Sequence, residues 1–76
     1  MIIDAIKELE IPTIGMATIK ALAVQYNLRM LFHASLKELE ELDGVGKSKA
    51  KAIVDWFDSP RNRTKLMIVR YKYPEA

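Results

Sequence analysis

The strongest constraint on this chain is that it repeats itself. The stretch Leu42-Asp43-Gly44-Val45-Gly46-Lys47-Ser48-Lys49-Ala50 has a weaker copy, Ile11-Pro12-Thr13-Ile14-Gly15-Met16-Ala17-Thr18-Ile19, with Gly46 thirty-one positions after Gly15. The register continues past the turn, matching Lys20 with Lys51, Ala21 with Ala52 and Leu22 with Ile53. Ile19, Leu22, Ala23 and Tyr26 are spaced i, i+3, i+4, i+7, one face of a helix, and Ala50, Ile53, Val54 and Phe57 repeat the spacing. The repeated unit is therefore a tight turn feeding an amphipathic helix. A turn of this kind presents backbone N–H groups and the positive end of a helix dipole, an arrangement suited to binding phosphate. Two of them in one small basic chain point to a grip on a nucleic-acid backbone.

Seventy-six residues make one small domain, and half of them are hydrophobic, enough for a compact core without staples. The absence of cysteine excludes disulfides, thiolate zinc sites and iron–sulfur clusters. No apolar run approaches the ~20 residues that span a bilayer. Met1-Ile2-Ile3-Asp4 lacks the basic region and long apolar segment of a signal peptide. Twelve Lys/Arg against ten Asp/Glu leave a net charge of only +2, so the segregation of acids from bases matters more than the total.

The remaining punctuation is helical. Ser35-Leu36-Lys37-Glu38 reads as a capping box that starts a helix at Ser35, with Leu36, Leu39 and Leu42 as its apolar face. Ile6 and Leu9 mark a similar lead-in helix before Pro12. Asn27 is expected as a left-handed C-cap of the first long helix. Ser59-Pro60 stops one helix and starts another, Ser59 as N-cap and Pro60 at the first helical position. No strand-like alternation of useful length occurs. The fold class is all-α, five to six short helices in a single domain over residues 1–76. A first helical hairpin spans about 4–26, a second about 35–58 and a final helix about 60–70.

Helix, tight turn, helix, with Gly44-Val45-Gly46 at the turn and the small Ala50 behind it, resembles the helix-hairpin-helix motif. The first copy departs from the pattern, with Thr13 where the first glycine belongs, although a Thr hydroxyl can also donate to phosphate. Three further stretches are similar to the tandem hairpins of bacterial NAD-dependent DNA ligases. They are Ile11-Pro12-Thr13-Ile14-Gly15 with Ala21-Leu22-Ala23, Ala34-Ser35-Leu36-Lys37-Glu38-Leu39, and Phe57-Asp58-Ser59-Pro60-Arg61-Asn62-Arg63. The resemblance covers about residues 6–68 and corresponds to the latter half of the ligase's four-hairpin domain. It implies a non-catalytic module that holds the backbone of double-stranded DNA for replication and repair, in the cytoplasm and on the nucleoid, as a monomer beside other ligase domains and away from membranes. It implies no cofactor in this chain, since NAD and Mg would belong to the parent ligase's other domains.

The implied DNA-binding residues are Thr13, Ile14, Gly15, Thr18 and Lys20 in the first hairpin. In the second they are Gly44, Val45, Gly46, Lys47, Ser48 and Lys49. Gly44 and Gly46 could equally form an ordinary turn in which glycine supplies positive φ. Lys47 and Lys49 sit against the helix dipole, which favours an anionic partner over a merely solvated face. Lys51 is open between phosphate and pairing with Asp55 at i+4. Thr18 and Ser48 could donate hydroxyls to phosphate, or be caps or plainly exposed. Arg61 and Arg63 read as surface charge, Asn62 as a tie within its turn, Phe57 as core and Trp56 as packing. His33 is isolated, and a metal role for it is not expected.

No catalytic set is visible: there is no paired carboxylate, no nucleophile with a base, no second His. Ligase adenylation needs a Lys-x-Asp-Gly motif, and before Asp43-Gly44 the lysine position is occupied by Glu41. A protein-interaction or dimerisation module built on the same hairpins is the alternative from a different class.

Overall fold

In the computed structural model, which describes residues 2–76, the elements follow the repeat. Helix α1 spans Ile2–Leu9, α2 Met16–Gln25, α3 Leu28–His33, α4 Leu36–Glu40, α5 Gly46–Asp58 and α6 Arg63–Lys72, with a 3₁₀ turn at Pro60–Asn62. Among the described residues there is no strand, and no helix is long and apolar enough to cross a membrane.

The two repeats pair in the same way. Helix α1 packs on α2 and α4 packs on α5, each pair joined by one of the repeated turns. The matched positions Ile19 and Ala50, and Leu22 and Ile53, are all buried in one core, which also takes Ile6, Leu9, Leu28, Leu31, Leu39 and Leu66. Ala23 and Val54 are half-buried at the margin in both copies. Helix α1 also contacts α3 and α6, so the first helix of the first hairpin ties in both the linker and the last helix.

The local start signals behave as chemistry dictates, with one correction. Ser35 Oγ accepts from Glu38 N at 3.1 Å and Glu38 Oε1 accepts from Ser35 N at 3.2 Å, a complete capping box. Asn27, expected to end α2 in a left-handed conformation, instead has φ −96° and starts α3, its Oδ1 accepting from Met30 N at 2.7 Å. Asn serves either end of a helix. Buried Leu28 and Leu31 decide the matter by forming a helical face immediately after it. Tyr26 in extended backbone closes α2. The last helix begins three residues later than its Ser-Pro signal, because Pro60–Asn62 forms the 3₁₀ turn first. Leu39 is fully buried, whereas Leu36 of the same face is 40% exposed.

A polar clamp fastens the last helix to the first. Glu8 of α1 accepts hydrogen bonds from the Tyr73 hydroxyl and from Lys72 Nζ, the latter at 3.0 Å, while Lys65 pairs with Glu10. The Tyr73 bond, then Lys72, holds the Glu8 carboxyl below its ordinary 4.5 and pushes Lys72 and Tyr73 up.

Two outcomes are expected. Leu22→Ala leaves a hole under both hairpins and should cost about 2–5 kcal/mol. In a domain this size that lowers the melting temperature by ~4–8 °C per kcal/mol, as calorimetry would read. A depressed carboxylate contributes stability above its unfolded pKa, and that contribution is lost as pH falls through the folded value. The melting temperature should thus drop on acidification below pH 4.5, and Glu8→Gln should flatten that part of the acid limb.

Candidate nucleic-acid interface

The two turns share one backbone feature and differ in another. Gly44 has φ +88°, and Thr13, its counterpart thirty-one residues earlier, takes φ +68°. An L-residue in this region costs roughly 1–2 kcal/mol, so the first hairpin keeps its left-handed corner without the glycine that would make it easy. Two residues on, the turns diverge. Gly46 is again left-handed at +72° and opens α5, whereas Gly15 is extended at φ −110° and is the N-cap of α2. The second turn requires glycine twice and the first does not require it at Gly15.

Both hairpin helices begin bare. Neither α2 nor α5 has a side-chain cap or an acid in its first turn, while α3 and α4 are capped by Asn27 and Ser35. The first N–H groups of a helix have no intrahelical acceptor, so those of α2 and α5 are left to an outside one. A Cβ added at Gly15 or at Gly46 would meet nothing of the protein within 4 Å. The front of each turn is therefore open.

Most of the residues expected to bind stand at these fronts. Thr13, Gly15, Lys20, Gly44, Gly46, Lys47 and Ser48 are exposed, Lys49 and Ile14 half-buried. None of Lys20, Lys47 and Lys49 joins an ion pair among the described residues. Lys51 does, its Nζ lying 3.0 Å from Asp55 Oδ2, the i+4 pairing weighed for it.

Two expected contacts are corrected. Thr18 is fully buried, and its hydroxyl donates to the Gly44 carbonyl at 3.1 Å, so its side chain cannot reach a phosphate. It locks α2 to the opposite turn, where an added Gly44 Cβ would lie 3.6 Å from Ala21 Cβ. In the repeat register Thr18 matches Lys49 and Ala17 matches Ser48, so the two hydroxyls are not equivalent. Val45 is also inside: its side chain is 5% exposed and its N–H donates to the Leu42 carbonyl at 3.2 Å. It anchors the turn. Ile14 packs against the core in the same sense.

The 59–63 segment is held by Asn62, whose Nδ2 donates to the Trp56 carbonyl at 2.9 Å, as expected of a tie within the turn. Trp56 and Phe57 are both buried, edge to face with centroids 5.0 Å apart. Arg63 does not stay at the surface alone, since its guanidinium sits 5.5 Å from the Phe32 ring centroid.

Against this geometry the comparisons with known proteins are decisive for family. The family described as helix-hairpin-helix motif matches residues 4–66, both paired-helix units together. The chain belongs to the helix-hairpin-helix family. It is similar to a DNA ligase of Fervidobacterium nodosum, 40% identical over 63 residues, and to DNA ligases of Acidobacterium capsulatum, 43% over 51, and Chlamydia felis, 40% over 58. These alignments cover 82%, 66% and 75% of this helix-hairpin-helix chain, but only 9%, 8% and 9% of the respective ligases. No solved structure matches it significantly.

The buried hydroxyl and the exposed one should separate in experiment. Thr18→Val keeps the shape but strips the Gly44 carbonyl of its donor. It should cost about 1 kcal/mol in urea unfolding, whereas Ser48→Ala should leave stability within ~0.5 kcal/mol.

Proposed function

We propose that this chain is a module that binds duplex DNA through its sugar–phosphate backbone without reading sequence, and that it is the non-catalytic DNA-clamping part of an NAD-dependent DNA ligase of replication and repair. The observation that carries the reading is the pair of bare helix N-termini, each behind an open Gly turn, in a chain whose counterparts lie within DNA ligases. Free N–H groups and the dipole end attract an anion. Lys47 and Lys49 would raise the positive potential at a place where the dipole disfavours cations, which suits a phosphate partner. Contacts of this kind position a protein but carry no sequence information, a property useful to an enzyme that must seal any nick.

The two hairpins would grip the two strands across one groove. In this reading the chain contributes binding and orientation. NAD, Mg and the adenylated lysine belong to other domains, so the chain alone should neither become adenylated nor seal a nick when given NAD and nicked DNA. A second reading, a protein-interaction or dimerisation module, is favoured by one feature. Met67, Ile68 and Tyr71 form an exposed apolar stripe on α6, 69%, 60% and 89% accessible. Sedimentation mass in the absence of DNA tests it.

Fluorescence anisotropy with duplexes of unrelated sequence tests the first reading. Affinity should be similar across sequences, and log K should fall with log salt at a slope of about −0.9 per phosphate neutralised. Salt-independent binding or a strong preference for one sequence would overturn it. The second hairpin should dominate, because the first turn is followed by Met16, Ala17 and the buried Thr18 in place of Lys47, Ser48 and Lys49. Lys47→Ala with Lys49→Ala should therefore weaken binding more than Thr13→Ala with Lys20→Ala. Circular dichroism should show all of these variants folded.

A further inference from the structure

The first turn of α2 carries no cation, unlike that of α5, yet one is delivered to the side of the first hairpin from elsewhere in the chain. An open groove runs between Pro12, at the start of the first turn, and the end of α5, with Asp55, Trp56, Arg61 and Asn62 on its far wall. Arg61 is held there by its neighbour, since the Asn62 bond to the Trp56 carbonyl pins the 3₁₀ turn to the last residues of α5. Three other cations are engaged, Lys51 with Asp55, Lys65 with Glu10 and Arg63 over the Phe32 ring, while Lys7 and Lys20 do not line this groove. Arg61 is exposed and has no ion pair or hydrogen bond among the described residues. The carboxylate in the groove, Asp55, is already neutralised by Lys51 at 3.0 Å. The groove thus presents an uncompensated guanidinium beside the hairpin that has no charge of its own in its first helical turn. Arginine, with its planar fork of donors, suits a phosphate better than a point charge does.

We propose that Arg61 supplies a phosphate contact beside the first hairpin, replacing from the 3₁₀ turn the cations that Lys47 and Lys49 give the second hairpin. The proposal rests on the reading of the chain as a duplex-DNA module. It makes the interface three-point, with two hairpin turns and one arginine from the corner between α5 and α6.

Arg61→Ala and Arg70→Ala in the full chain test it, measured by anisotropy against a single duplex over a salt series. Arg70 is also exposed, has no partner among the described residues, lies on α6 and does not line the groove, so it reports on net charge alone. Arg61→Ala should make the salt slope less negative by about 0.9 and weaken binding about eightfold at ~0.1 M salt, while Arg70→Ala leaves the slope unchanged. If the native chain binds with its full slope and Arg61→Ala matches it, or if both variants lose equally, the assignment of Arg61 is wrong and the duplex-binding reading stands. If the native chain fails to bind duplex DNA, both fall together.

Discussion

The structure depends on the two repeats sharing one interior. Neither α1 with α2 nor α4 with α5 is large enough to keep water from its own apolar stripe, and a domain of this size has little surplus stability. Ile19 and Leu22 from one copy therefore bury against the same core as Ala50 and Ile53 from the other. Because the stripes sit at the same register behind each turn, burying both brings the two helix pairs together with their turns at corresponding positions. Thr18, the one buried polar residue of that core among the described residues, is satisfied across the junction by the Gly44 carbonyl. That bond makes the position of one turn a function of the other's helix.

Charge is partitioned by the same packing. Lys65 and Lys72 of α6 face the carboxylates of α1, and Arg63 lies over an aromatic ring. They fasten the last helix and are taken up within the domain. Among the described residues Lys20, Lys47, Lys49 and Arg61 have no such partner and lie on the hairpin helices or beside them, as Lys7, Arg29, Lys37 and Arg70 also stand unpartnered elsewhere. A chain whose net charge is only +2 can thus present a locally cationic face, and it is the local field, not the total, that an approaching phosphate meets.

The difference between the turns follows from their residues. Gly44 and Gly46 both take φ values that side chains resist, and α5 begins on Gly46 itself. Thr13 accepts the first of these conformations at some strain, but Gly15 does not take the second, and α2 starts one residue later. The first hairpin keeps the corner and the bare helix end but has no counterpart of Lys47, Lys49 or the second left-handed residue.

What the sequence determined by itself was mostly local or periodic. Apolar spacing set the long helices, the thirty-one-residue register set two equivalent hairpins, and Ser35 with Glu38 set the start of α4 because a capping box needs only four residues. The Asn62 tie and the Lys51–Asp55 pair were legible for the same reason, since their partners are six and four residues away. Asn27 was misread because Asn can serve either end of a helix, and burial of Leu28 and Leu31 made the choice. Thr18 looked like a phosphate donor because its acceptor is twenty-six residues away, and no short-range pattern announces a hydroxyl turned inward. Tertiary structure alone placed Glu8 under Tyr73 and Lys72, more than sixty residues on, and set Arg61 beside Pro12. The physical reason is the same in each case. Periodicity fixes which face of a helix is buried, whereas the partner across the core is chosen by how separate helices pack, and that choice decides which charges are paired and which remain to meet a ligand.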